Sequence, residues 1–232
     1  MNPLTILIVI IIVVSLIYVY YSFNPDYLIE VKKLTEIQTF ASDKIDVPSS
    51  SRYCYEGWFH IVNNFPPDKA NVLFNRGSNG DTICALYLKQ SKLVLGINGH
   101  VSSIDASGRA TLSTTNPPTG DSIVITDAYP FQKWTYIVIN VDGANIDVYL
   151  DGRLIANKTT VIRFNGNDDL IIGNKHMDGR VAHFNRYGFN MNPQEVWTKY
   201  MYGSGQSDSA SNYNVKVGIL KNNVQKNEFK LF

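Results

Sequence analysis

The chain has 232 residues, enough for one domain of ordinary size plus accessories. Lys and Arg number 21 against 20 Asp and Glu, a net charge of +1; this lacks the basic excess of a phosphate-binding face and excludes a nucleic-acid partner. Sparse charge, abundant Asn, 14 Tyr and 11 Phe favour strands and polar turns over long solvated helices.

The first element is an apolar run from Leu4 through Ile10 and Tyr18 to Tyr21, LTILIVIIIVVSLIYVYY, with no charge before Asp26. About 18 residues at 1.5 Å each span roughly 27 Å as a helix, close to a thin bilayer's hydrocarbon core. A lone strand cannot cross lipid with its amides unpaired, so the run predicts a transmembrane helix. Tyr18, Tyr20 and Tyr21 cluster at one end, where amphipathic rings favour the interface. A secretory signal would need a basic start and a small-x-small cleavage site. No Lys or Arg precedes the run, and Tyr20 stands two positions before Ser22. Residues 1–23 therefore read as an uncleaved single-pass anchor. Lys32 and Lys33 after the span lean the C-terminal domain towards the cytosol.

Residues 24–44 read as a juxtamembrane linker. Asn24-Pro25 ends the apolar helix, and YLIEVKKLTEIQTF has a mixed period that suits a strand or a short helix. From residue 45 the chain is dense in strand signals. VPSSS is turn chemistry, followed by YCYEGWFHIV (53–62), NVLFNRG (71–77), TICALYL (82–88) and KLVLGIN (92–98). Residues 99–120, rich in Ser, Thr, Gly and Pro, predict a long loop with room for one short strand. SIVIT, WTYIVINV, NIDVYL, RLIANK, DLIIGN and RVAHFNRYGF complete the series. The pattern predicts an all-β antiparallel sandwich over 45–202. One short helix follows, with Asn192 as N-cap, Pro193 at N1, Glu195 at N3, and Val196, Trp197, Tyr200 and Met201 on one face. Gly203 stops it, and it is expected to lid one end of the sandwich. Residues 203–232 read as a hinge, GSGQSDSASN, and a basic β-hairpin turning at Asn222-Asn223.

Two Asp-Gly pairs, Asp142-Gly143 and Asp151-Gly152, sit between alternating strands, where positive φ and strand twist favour such turns. They read as architecture rather than chemistry. Cys54 and Cys84 would be free to pair as a disulfide in an oxidising compartment; each lies in an apolar run, so both read first as buried thiols. Neither has a CxxC partner for zinc or dithiol chemistry. The four histidines show neither metal spacing nor a nucleophile beside them.

The order Trp134, Asp142-Gly143, Asp151-Gly152, Gly173, Gly179-Arg180-Val181, Pro193-Gln194-Glu195 resembles the laminin-G-like branch of the concanavalin A-like lectin/glucanase superfamily. The resemblance implies a jelly-roll sandwich. It also implies a glucanase's E-x-D-x-x-E strand or a lectin's rim, and the glucanase strand is absent, so no glycosidase is expected. Bound Ca²⁺ is an implied possibility of that branch, with Asp81, Asp121, Asp127, Asp168 and Asp169 as candidates by type; no dense acidic loop joins them and no cofactor is expected. Glycan binding would draw on loop residues Asn98, His100, Asn116 and Tyr129. Asn157-Lys158-Thr159 is a glycosylation sequon, usable only if the domain is luminal.

The anchor, VPSSSRYCYEGW and FQKWTYIVINVDGANIDVYLDGRL together also resemble proteins of large nucleocytoplasmic DNA viruses, some of them virion membrane or minor capsid components. Two functions follow as expectations. One is a non-enzymatic membrane-anchored structural protein that links a virion membrane to its capsid or shell proteins. The other is a type II membrane lectin for cell-surface glycans.

Overall fold

The computed structural model describes residues 10–18, 27–63, 65–66, 68–78, 81–113, 120–160, 166–204, 216–221 and 224–230. Its strands run in chain order as β1 (Ile29–Lys33), β2 (Gln38–Phe40), β3 (Arg52–Ile61), β4 (Ala70–Ser78), β5 (Asp81–Lys89), β6 (Lys92–Ile97), β7 (Val101–Ile104) and β8 (Arg109–Leu112). Then come β9 (Asp121–Thr126), β10 (Trp134–Asp142), β11 (Asn145–Leu150), β12 (Arg153–Thr159), β13 (Leu170–Ile172) and β14 (Gly179–Tyr187). Helix α1 (Pro193–Tyr202) follows, and a separate antiparallel pair, β15 (Lys216–Lys221) with β16 (Val224–Lys230), completes the described chain. The turn expected at Asn222-Asn223 and most of the expected hinge lie outside the described residues.

Two antiparallel sheets stack face to face. The first has six strands in the order β1-β14-β3-β10-β11-β12; the second runs β2-β13-β4-β5-β6-β9, with the β7–β8 hairpin joined through β8 to β4. Tyr55, Phe59, Phe74, Leu86, Leu95, Ile139, Val148 and Phe184 fill the space between them. The run WTYIVINV is almost continuously apolar because both of its faces are covered. Ile137, Ile139 and Val141 enter the main core, while Tyr136 and Val138 point outward beneath α1.

Three boundaries differ from the sequence expectation. The linker 24–44 is part of the sandwich: β1 pairs with β14 in one sheet and β2 with β13 in the other. Both are short edge strands, too brief to show a clear period. Residues 99–120 hold two strands, not one. The Asp105 carboxylate accepts from the Ser107 and Arg109 amides at 2.8 and 3.0 Å, tightening the turn between β7 and β8. Helix α1 does not lid an end of the sandwich. It lies across the outer face of the six-stranded sheet, where Val196 is buried with Cys54, Trp58, Tyr136 and Met191.

Beneath α1 the Glu56 carboxylate is sealed from solvent. It accepts from the Tyr136 and Tyr187 hydroxyls at 2.7 and 2.5 Å and from Lys199 Nζ on α1 at 2.6 Å. Asn140 grips the strand-to-helix connection by bonding both the carbonyl and the amide of Met191, at 2.7 and 3.2 Å. The capping box is present: Glu195 N donates to Asn192 Oδ1, and Asn192 N to Glu195 Oε2.

Residues 10–18 are helical with exposed side chains, Ile10 and Tyr18 included; Leu4 and Tyr21 lie outside the described residues. Among the described residues no helix is long and apolar enough to cross a membrane, so the transmembrane helix expected from the sequence is not found there.

Candidate functional site

Outward-facing positions of the eight-stranded sheet form a cleft. Register places Thr39 beside Ile171, Ile171 beside Asn75, and Asn75 beside Ala85, so one row crosses β2, β13, β4 and β5. Ala85 is small and leaves room over the row. The cleft encloses about 500 Å³. Its apolar surface comes from Ile37, Val72, Ile104 and Ile171, and its polar surface from Thr39, Asn75, Thr82, Asp105, Asn167, Asp168 and Asp169.

The β7–β8 hairpin supplies one wall. Its tip is fastened by Asn174, whose Nδ2 donates to Gly108 O at 2.7 Å, and by Lys175 N, which donates to Ser107 O at 2.9 Å. Gly108 has φ +91°, and a Cβ there would stand 2.9 Å from Asn174, so only glycine permits this approach. The Ser107 hydroxyl bonded to Asp105 holds that carboxyl below its usual range, with the Arg109 and Ser107 amides adding to the effect.

Two groups on the cleft floor are polar. Asn75 is 5% exposed and Thr82 3% exposed, and both line the cleft among aliphatic side chains. With Asp105, Asp168 and Asp169 around them and no Lys or Arg in the described lining, they present donors and acceptors over an aliphatic floor. That arrangement suits a neutral ligand rich in hydroxyl groups, with C–H faces to rest on Ile104 and Ile171.

The residues singled out in the sequence are scattered by comparison. Asp168 and Asp169 do meet at the cleft, the first buried and the second exposed. Asp121 is tied to Lys158 Nζ at 2.8 Å and the Thr160 hydroxyl at 2.7 Å, which hold its carboxyl low. Asp127 pairs with Lys92, and Asp81 opens β5. Among the described residues no three His, Cys, Asp or Glu side chains are grouped to hold a metal ion. Of the described glycan candidates, Asn98 and His100 share one turn and Tyr129 lies in the core. Asn98 is at a turn with φ +54°, and Asn116 lies outside the described residues. His100 Nε2 is 3.0 Å from the Tyr87 hydroxyl, and Tyr129 is core, its hydroxyl donating to Phe59 O. A core ring offers no platform, which corrects the expectation for Tyr129.

The architectural residues act as turns and packing. Leu150 faces Arg153 across Asp151 and Gly152, at φ +49° and +77°, the two positive angles of a type I′ turn. Asp151 also accepts from Tyr136 N at 2.9 Å and pairs with Lys133. Asp142 pairs with Arg52, and Gly143 turns at φ +60°. Trp134 opens β10 and Gly173 follows β13 at φ +111°. Asn157 is exposed on β12, its amide donating to Asp147. Cys54 and Cys84 are buried free thiols. Burial drives the first far up and the second to about 11, so both stay protonated and unreactive.

The fold is a two-sheet antiparallel β-sandwich with a cleft on the outer face of its eight-stranded sheet. The chain belongs to the concanavalin A-like lectin/glucanases superfamily, whose Laminin_G_3 model matches residues 36–197. Among solved structures it is similar to the botulinum neurotoxin serotype G binding domain, with 14% identity and a TM-score of 0.50 over 77% of this chain and 47% of that one. It is also similar to the binding domain of botulinum neurotoxin DC in complex with rat synaptotagmin II, with 12% identity and a TM-score of 0.52 over 76% and 47%. The chain thus spans about half the length of these structures, and at such identity the likeness is one of fold. No curated protein matches the chain. These matches do not bear on the viral setting expected from the sequence.

Proposed function

We propose that this chain is a membrane-tethered, non-catalytic recognition domain that binds glycan in the cleft of its eight-stranded sheet. One observation carries the reading: the polar side chains of Asn75 and Thr82 line the floor of a cleft whose walls carry aliphatic and acidic side chains. A sugar ring would supply hydroxyls to both and to the aspartates at the margin, and its C–H face would cover the isoleucines. Membership of a lectin and glucanase superfamily supports this reading. The apolar run Leu4–Tyr21 supplies the tether, on the strength of its length and lack of charge. A viral shell partner remains the second setting suggested by the sequence; nothing in the described residues favours it as the cleft favours a polyol.

The test is a glycan array probed with the full chain in detergent micelles, with and without Ca²⁺. Saturable binding that is indifferent to Ca²⁺ and falls about tenfold or more in Asn75→Leu is expected, since tenfold is about 1.4 kcal/mol. Binding to no glycan, or binding untouched by Asn75→Leu, would sink the reading.

A further inference from the structure

The outer face of the six-stranded sheet carries features that the cleft on the opposite side does not explain. Four large apolar side chains stand in solvent there: Phe189 at 53%, Trp197 at 45%, Met201 at 64% and Tyr202 at 75% exposure. Phe189 packs on the Tyr187 ring, and Trp197 on Tyr200, which stacks on Trp58. Beside them is a basic margin. Lys33 lies opposite Arg180, Arg180 opposite His60, and His60 opposite Trp134, with Lys33 and Arg180 both exposed.

The chain enters the domain on this same face. The Tyr27 ring stacks on His183 at 4.5 Å. Burial raises the pKa of the Tyr27 hydroxyl and lowers that of the His183 imidazole, and the Glu56 charge beneath α1 also bears on both rings. From Tyr21, the end of the apolar run, to Tyr27 the chain can reach at most about 20 Å. A domain of this size has a radius of gyration of about 16 Å. A tether this short, well under the domain's diameter, holds the face it emerges from nearest the bilayer, and that face bears the exposed aromatics.

We propose that the outer face of the six-stranded sheet, with α1, is a bilayer-docking surface. Phe189, Trp197, Met201 and Tyr202 enter the head-group region, and Lys33 and Arg180 meet anionic lipid. Aromatic rings favour that depth, and basic side chains near an anionic leaflet add to the attraction. The inference rests on the tether reading above.

The experiment uses the full chain reconstituted in vesicles of phosphatidylcholine and phosphatidylserine, some carrying nitroxide at head-group depth. Flotation after an alkaline wash reports the tether; tryptophan quenching by the nitroxide lipid reports docking. Emission should fall about twofold in the intact protein, and most of that fall should vanish in Trp197→Phe, because the interface holds exposed indoles. Substituting Met201→Ser together with Phe189→Ser should weaken quenching without preventing flotation. A chain that floats but shows no lipid quenching overturns the docking and leaves the tether standing. A Trp197 shielded from aqueous acrylamide yet unquenched by lipid places a protein on this face instead and also overturns it. A chain that does not float removes the tether, and the docking with it.

Discussion

Glu56 shows how a single side chain fixes an element. A carboxylate sealed beneath a helix needs donors, and it has two phenols and the Lys199 ammonium. Glu56→Ala should cost about 3 kcal/mol in urea unfolding, because Lys199 and the hydroxyls lose their acceptor together. Asn75 lines the cleft instead. Asn75→Leu should leave stability unchanged or raise it by up to about 1 kcal/mol while binding is lost, as expected where a polar group is kept for function. Acid acts through two imidazoles. Burial lowers the pKa of His100 and of His183 below the ordinary 6.5. Below about pH 6.5 the unfolded chain therefore takes up protons before the folded one does, and stability falls as pH falls towards the folded values. The urea midpoint should drop between about pH 7.5 and 5.5, and the drop should shrink in His100→Gln. Neither Glu56 nor Asn75 stood out in the sequence. Glu56 was one of several scattered glutamates, and Asn75 was a polar letter inside NVLFNRG. Their meaning depends on what lies above them in space.

At the scale of elements, local chemistry was legible. The Asp151-Gly152 turn and the Asn192–Glu195 capping box follow from residues a few positions apart, and both are present. The two Asp-Gly turns still differ in a way the sequence conceals. A Cβ at Gly152 would stand 2.9 Å from Trp197 at φ +77°, whereas one at Gly143 would meet nothing within 4 Å at φ +60°. Gly143→Ala should cost about 1 kcal/mol from backbone strain alone. Gly152→Ala should cost clearly more, about 2 kcal/mol, because α1 must also shift. Equal thermal shifts in the two variants would contradict this account. The edge strands β1 and β2 and the β7–β8 hairpin were not legible, since three- to five-residue strands carry too little alternation to separate from loop.

For the whole molecule, the sandwich class could be read from many short strands with turn signals between them. The placement of α1 could not. The same apolar positions suit a lid at one end or a cover on a face, and the choice is made by Glu56, Asn140 and Trp58 far away in sequence. The two proposed surfaces are on opposite sheets. Docked by one, the molecule would turn its cleft away from the lipid, with the sandwich as a spacer. The thiols carry a separate consequence. Cys54 lies beneath α1 and Cys84 in the core between the sheets, both protonated and both unpaired. The fold therefore owes nothing to oxidation, and its melting temperature should be the same with and without dithiothreitol. Such a domain can mature equally in a reducing or an oxidising compartment. Under the proposed tether, the side of the membrane it occupies would be left to the flanking charges Lys32 and Lys33, and redox chemistry would have no vote.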